Sequence, residues 1–456
     1  MSTLITGSIR VDQLPKEKFI KGKDGAVYYN LTISIQDETR YGNNVAFMDS
    51  QTKEEREAKM PKTYCAAPWR GLHIQVDGGI STCCAGGFKL GNINTDTIHM
   101  ALANEKLKEV RNTIKSGMLH KKYCKSCINA SDNKIKSERD WHNSLNENFD
   151  IDAAGLDYQF PVIFDARWNN TCNSACTYCS PHFSSKWASL LSKQDNKPVK
   201  DNIEKIKLFF SNNANKLKTV MMVGGEPLLM KENADLLNSI PADVTIDVIS
   251  NFSVDLTKSK VFEKLLARRK VLWHISMENV GERYEYVRQE SNWQRVLDNL
   301  KILGNEVRNP PEKNDHEIQF LSLYHLFNST RLCEFKAFAS EALSFFPHKF
   351  GKGHPSKNLE IVWQNFQSPA ALSLDHYGKD ILDGCIVELE KYLRTNVLEN
   401  EGNFFREKIS RFKNVSTNTS INTIKQLNRF IDRHETIFKN HGRFKALWPE
   451  FSSLVD

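Results

Sequence analysis

The chain has 456 residues, 40% hydrophobic and 26% charged, with a formal net charge of +7. That length predicts two or three domains, and the composition fits an ordinary soluble globular protein. No apolar run approaches the roughly 18 residues of a membrane span, and "MSTLITGSIRVDQ" lacks a basic stretch followed by an apolar one, so no secretory signal, no membrane partner and a cytoplasmic location are expected.

Residues 1–64 alternate like strands in "AVYYNLTISIQD", turn through "RYGNN" and end in a charged helical run, "TKEEREAK". Tyr28, Tyr29, Lys21 and Lys23 are residue types that stack on bases and meet phosphates. The segment resembles the start of small phage-type single-stranded-DNA-binding proteins with an OB-like β-fold. That resemblance implies a single-stranded-DNA partner, a viral source and thus a host cytoplasm. Ten basic and nine acidic residues leave almost no net field, however, and the segment is short for a five-stranded barrel. A packing or tethering extension is the other reading.

Residues 65–130 hold Cys65, Cys83, Cys84, Cys124 and Cys127. Cytosolic thiols stay reduced, so such clustering points to metal ligation and not to disulfides. "LHIQV", the turn Asp77-Gly78-Gly79 and "ISTCC" read as a β-hairpin. Cys124 and Cys127 form a chelating pair that Cys65 and either Cys83 or Cys84 complete to four ligands. Both a structural zinc and a fully ligated iron–sulfur cluster satisfy that count. Residues 131–160, opening with the polar "SDNKIKSERDWHNSLNENFD", read as a linker.

From 161 the pattern becomes apolar strands separated by helical spacing. "PVIFDAR", "KTVMMV", "VTIDVIS", "VLWHISM", "EIQFLSLYHLF" and "NLEIVW" are six strand candidates, with helices such as "KVFEKLLARR" between them. This α/β alternation predicts a parallel sheet with right-handed crossovers over 161–365, as a partial barrel or an open sheet. Residues 366–456 read as helical, with Ile421, Ile424, Leu427 and Ile431 forming one packing stripe. Residues 402–456 carry ten Lys/Arg against five Asp/Glu, which fits a solvated helix face or a site for nucleic acid or an acidic peptide. Cys333 and Cys385 stand alone and read as buried small hydrophobes.

The remaining cysteines lie in "NNTCNSACTYCS", directly after the strand "PVIFDAR". Ligands bind at that end of strands in parallel α/β folds. Cys172, Cys176 and Cys179 can hold one face of an iron–sulfur cluster, which is built on such thiolates. A structural zinc would want a fourth ligand, for which only His182 is near. Three ligands leave one metal corner open.

The motif Cys172-x3-Cys176-x2-Cys179 resembles the loop of the radical S-adenosylmethionine (SAM) enzymes. The resemblance covers roughly 161–330 and implies a partial (β/α)6 barrel, a 4Fe–4S cluster and SAM bound at its open iron. It also implies reductive cleavage of SAM to a 5′-deoxyadenosyl radical and an electron donor such as flavodoxin or ferredoxin. Gly224, Gly225, Glu226 and Pro227 resemble the family's GGEP segment at the SAM methionine end. Ser250 and Asn251, then Ser276 and Glu278, are implied near the ribose and Arg288 near the carboxylate. Glu278 stands where the family pattern has Asp, and Phe252 where it has Gly.

Cys65–Trp69, Cys83–Cys84, Leu90–Ile93 and Cys124–Cys127 resemble the SPASM/twitch module of radical SAM proteins, here placed before the barrel. An auxiliary 4Fe–4S cluster is the cofactor this implies, with a peptide or protein as first substrate class. A nucleotide, sugar or nucleic acid is the alternative substrate, and a zinc-stabilised nucleic-acid-binding protein the non-enzymatic reading. No catalytic residue is legible.

Overall fold

The computed structural model describes residues 63–86, 88–132, 137–192, 203–211, 213–308, 315–350, 356–366, 368–395 and 397–455, with the backbone of four strands before them. The chain divides between Tyr64 and Cys65 into two compact units. In the first, β1 (Phe19–Lys21) pairs antiparallel with β2 (Val27–Tyr29), and β3 (Leu31–Arg40) with β4 (Asn43–Asp49). The side chains of Lys21, Lys23, Tyr28 and Tyr29, on which a DNA face would depend, lie outside the described residues, as does "TKEEREAK".

The second unit is built on one nine-stranded sheet. In chain order its strands are β5 (Gly71–Ile74), β6 (Gly79–Ser81), β7 (Gly91–Asn92), β8 (Ile163–Ala166), β10 (Thr219–Met222), β11 (Thr245–Ser250), β12 (Lys270–Ser276), β14 (Asp315–Tyr324) and β15 (Glu360–Asn365). A separate two-residue ribbon pairs β9 (Ala175–Cys176) with β13 (Arg288–Gln289). All six strand candidates of the central region are present. They lie side by side in the order β8-β10-β11-β12-β14-β15, every pairing parallel. A doubly wound sheet reverses its strand order at a switch point. Here no reversal occurs, so right-handed crossovers carry every helix to the same face, as in a (β/α) barrel.

Strand β12 shows how the residues enforce this. Val271, Trp273 and Ile275 are buried, while Leu272, His274 and Ser276 on the other face are half-buried. The period of two puts the bulky row under the helices. Trp273 packs there against Phe252, Phe262 and His316.

The hairpin of the first cysteine region extends the same sheet. Strand β5 runs parallel to β8, with His73 beside Asp165, and β6 returns antiparallel. His73 Nδ1 stands 2.8 Å from Asp165, which also holds Arg167 through two contacts of 3.0 and 3.1 Å. Within the stretch whose composition reads as a linker, Glu138–Ser144 forms a helix closed by a capping box, Ser137 donating to Asp140 from both its N–H and its hydroxyl. Helices Lys379–Leu393, Glu399–Lys413 and Ile421–Phe438 follow the sheet. In the last, Leu427 and Ile431 are buried as the stripe predicts, but Ile421, in the first turn, is 73% exposed. No helix among the described residues is long and apolar enough to cross a membrane.

Candidate cluster and cofactor site

The loop after β8 is held by its backbone more than by its side chains. Strand β9 places Cys176 opposite Arg288 on β13, and Thr177 N–H donates to the Val287 carbonyl at 2.8 Å. Trp187 donates its indole N–H to the Cys176 carbonyl at 2.9 Å, and Ser185 Oγ accepts from Cys172 N–H at 3.1 Å. Donors gather on the sulfurs: Ser174 N–H reaches Cys172 Sγ at 3.5 Å, Asn251 Nδ2 reaches it at 3.9 Å, and Arg288 Nη1 reaches Cys176 Sγ at 3.8 Å. Burial pushes the Cys172 thiol up to about 12 and raises Cys176 and Cys179 as well, with Arg288 opposing the shift at Cys176. A positive metal centre is what such thiols need in order to ionise.

Gly224–Pro227 follows β10 and lies against this loop. A Cβ on Gly225 would stand 2.2 Å from the Thr171 carbonyl oxygen, and Gly224 has φ +134°. The two glycines therefore permit backbone-to-backbone approach between the turn and the cysteine loop. Glu226 N–H donates to Thr171 O at 2.7 Å. The fully buried Glu226 carboxylate accepts from Ser250 Oγ and Asn251 N–H at 2.8 Å and from Leu228 N–H at 3.1 Å. Burial raises its pKa to about 7 against those three donors. Glu226 thus ties the turn to the end of β11.

At that end Phe252 takes φ +55°, the left-handed region that glycine enters freely. Buried contacts hold it there: Asn299 Nδ2 donates to the carbonyls of Phe252 at 2.8 Å and Val254 at 2.7 Å, and Phe252 N–H donates to Ser250 Oγ at 2.9 Å. The turn aims Asn251 Nδ2 at Asn173 Oδ1 (2.8 Å) and Ser174 Oγ (3.1 Å) on the cysteine loop. Ser276 ends β12, half-buried.

Glu278 and Arg288 engage each other. The guanidinium grips both carboxylate oxygens at 2.6 and 2.8 Å, with the two side chains 1% and 6% exposed. Tyr178 Oη donates to Glu278 at 2.9 Å, and its ring lies 5.7 Å below the guanidinium. The sequence signal for Tyr178 was its place inside the motif, yet its role depends on partners 100 residues or more away. Trp187 carried no signal at all.

Cys65, Cys83, Cys124 and Cys127 line one pocket with Phe88, Tyr123, Glu138, Arg139 and His142. Cys65 precedes β5 and Cys83 follows the antiparallel β6, so both stand at the edge of the sheet opposite to the Cys172 loop. Burial pushes the Cys65 thiol up to about 12, with neighbouring Cys127 and Cys124 adding to the rise. Cys83 is raised by burial and then by Cys65. Cys84 does not line the pocket; after burial, the carboxylates of Glu138 and Asp165 are what raise it. Arg111 clamps the backbone beside Cys65, giving Pro68 O two contacts of 2.8 and 3.0 Å. Among the described residues no three His, Cys, Asp or Glu side chains close on a single metal ion.

Comparison with known proteins bears on both sites. A radical SAM superfamily model matches residues 168–310, and a SPASM iron–sulfur cluster-binding domain model matches residues 65–128. No curated protein matches the chain. Streptococcus suis SuiB bound to S-adenosylmethionine aligns at TM-score 0.33 and 15% identity over 51% of this chain and 45% of its own. SuiB bound to precursor peptide SuiA aligns at 0.36 and 11% over 65% and 62%. TYW1 with a lysine-pyruvate adduct aligns at 0.29 and 16% over 51% and 70%. The chain spans about half the length of the first of these structures. The matched radical SAM domain implies a 4Fe–4S cluster and SAM, and the SPASM domain implies auxiliary iron–sulfur binding. Residues 168–310 thus form a radical SAM domain, and the SPASM domain at residues 65–128 precedes it in the chain.

Proposed function

We propose that this enzyme uses SAM to abstract hydrogen from a peptide or protein substrate, with a second iron–sulfur cluster serving the product's oxidation. The observation that carries the reading is the loop bearing Cys172, Cys176 and Cys179, on which N–H groups of Ser174, Asn251 and Arg288 meet the sulfurs of Cys172 and Cys176. When bound, the reduced cluster would supply one electron to the sulfonium of SAM, whose C–S bond would break to give methionine and a 5′-deoxyadenosyl radical. Cys172, Cys176 and Cys179 would hold that cluster, and the N–H donors to sulfur would stabilise its negative charge.

The other implied residues act at one remove. Glu226 fastens Gly224–Pro227 to the β11 end, so the turn's backbone and the Asn251 amide keep one geometry. Glu278 fixes Arg288, whose charge stays beside Cys176. The C-terminal edge of β8, β11 and β12 brings Asn251, Ser276 and Glu278 to the same end of the sheet as the cysteine loop, in keeping with a SAM-binding role for them. Cys65, Cys83, Cys124 and Cys127 would hold the auxiliary cluster, and Cys84 would not. The peptide class rests on the SPASM domain, since auxiliary clusters in such relatives often serve substrates oxidised during modification, peptides included.

Anaerobic protein treated with dithionite and SAM tests this reading. Formation of 5′-deoxyadenosine with about eight irons per chain, two cubane clusters, supports it; zinc in their place with no cleavage refutes it. Masses of candidate peptides incubated with the enzyme would change by whole hydrogens, whereas modification of nucleotides or sugars alone would assign the other substrate class.

A further inference from the structure

On the proposed reading, chemistry at the Cys172 loop requires an electron from outside, and helix Ile421–Phe438 packs beside that loop. Helix Ile421–Phe438 seats His434 and Phe438 on Trp187, with ring centroids 5.9 and 5.6 Å apart. Trp187 is the residue whose indole bonds the Cys176 carbonyl. From the other side Tyr286 meets His434 at 5.7 Å and donates its hydroxyl to Glu435 at 3.4 Å; Tyr286 belongs to the segment that runs into β13. One layer of aromatic side chains therefore separates this helix from the cysteine loop.

The outward face of the helix carries Lys425, Arg429 and Arg433, one turn apart and all exposed, with exposed Lys439 just past its end. No ion pair among the described residues includes any of these four, and Asp432 is the one exposed carboxylate on the helix. Like charges spaced four residues apart repel, so the stripe opposes the helix's own stability and an acidic surface laid along it would relieve that cost. An uninvolved solvated face explains the charges but not their alignment on the element that packs against the Cys176 carbonyl's partner.

We propose that this face docks a small acidic one-electron carrier protein, which reduces the cluster held by Cys172, Cys176 and Cys179. The inference rests on the reading of that loop as a cluster site. The exchange is a single electron: the carrier is oxidised by one, the cluster reduced by one, and no bond or proton moves.

The test compares full-length wild type with K425E/R429E/R433E, measuring 5′-deoxyadenosine formed from SAM. Electrons come from chemically reduced flavodoxin, from reduced plant-type ferredoxin or from dithionite. A control variant, K379E/K391E, reverses two exposed lysines on another helix. Carrier-driven rates should fall roughly tenfold or more in the triple variant at low salt, because steering by complementary charge is lost. The gap should narrow as salt screens it, while dithionite-driven rates and iron content stay at wild-type values. Equal carrier-driven rates overturn the proposal, as does an equal loss in the control or a wild type that neither carrier reduces. Loss of oligonucleotide binding with carrier rates intact assigns the face to nucleic acid instead. No dithionite-driven cleavage in wild type would refute the cluster reading itself, and the docking face with it.

Discussion

Cys172, Cys176 and Cys179 come from eight consecutive residues, while Cys65, Cys83, Cys124 and Cys127 converge from three segments at the other edge of the sheet. The first set is held by backbone pairing, Cys176 opposite Arg288, and lies under side chains that donate to sulfur. The second lines a pocket walled by a helix that contributes no cysteine. A short loop can present three thiolates and leave a metal corner free for a ligand. A set drawn from distant segments closes around its metal and fastens those segments to each other. On the proposed reading, coordination by the first set would serve chemistry, whereas the second would also join the hairpin to the rest of its domain.

The largest expected effect comes from Cys176→Ala, which should bring 5′-deoxyadenosine formation to background while about half the iron remains. Full cleavage by this variant would break the comparison. Next, Cys83→Ala should lose about half the iron and Cys84→Ala should keep it, by iron analysis of anaerobically purified protein. Cys83→Ala should also lower the thermal midpoint more than Cys176→Ala does, because metal there closes longer loops.

A smaller effect is expected at the buried ion pair. Glu278→Gln leaves the Arg288 charge uncompensated and should cost on the order of 3–5 kcal/mol in chemical denaturation. The double replacement Glu278→Leu/Arg288→Met should recover part of that stability, yet leave SAM cleavage impaired.

The smallest effect concerns pH. Burial lowers the pKa of His316 and His434 to about 4 and of His325 to about 3. Each imidazole binds its proton more readily in the unfolded chain, so stability should be complete above about pH 6.5 and fall as pH drops toward 4. Replacing His316 with Gln should flatten that slope in thermal unfolding without altering iron content.

Much of this was legible locally. Six strands followed from runs such as "VTIDVIS", and the hairpin from Asp77-Gly78-Gly79, because period and turn chemistry are properties of adjacent residues. The choice between open sheet and barrel was not, since strand order is set by contacts between distant segments. Cys83 and Cys84 illustrate the same limit: both lie in the bend and turn after β6, and only the fold shows that Cys83 lines the pocket beside Glu138–Ser144. That helix itself was hidden by polar composition, although Ser137 and Asp140 carry a capping signal. Phe252 concealed the left-handed position where a glycine would have announced it. Glu226 drew notice as a carboxylate for an ammonium, yet its oxygens are engaged by Ser250, Asn251 and Leu228.

The contrast between an open and a closed site is tested most directly by electron paramagnetic resonance of the dithionite-reduced protein, recorded before and after adding SAM. Wild type and C172A/C176A/C179A are compared. SAM should shift part of the wild-type signal, and the triple variant should keep one reduced 4Fe–4S signal indifferent to SAM. A triple variant without a cluster, or one whose remaining signal still responds to SAM, would contradict that contrast.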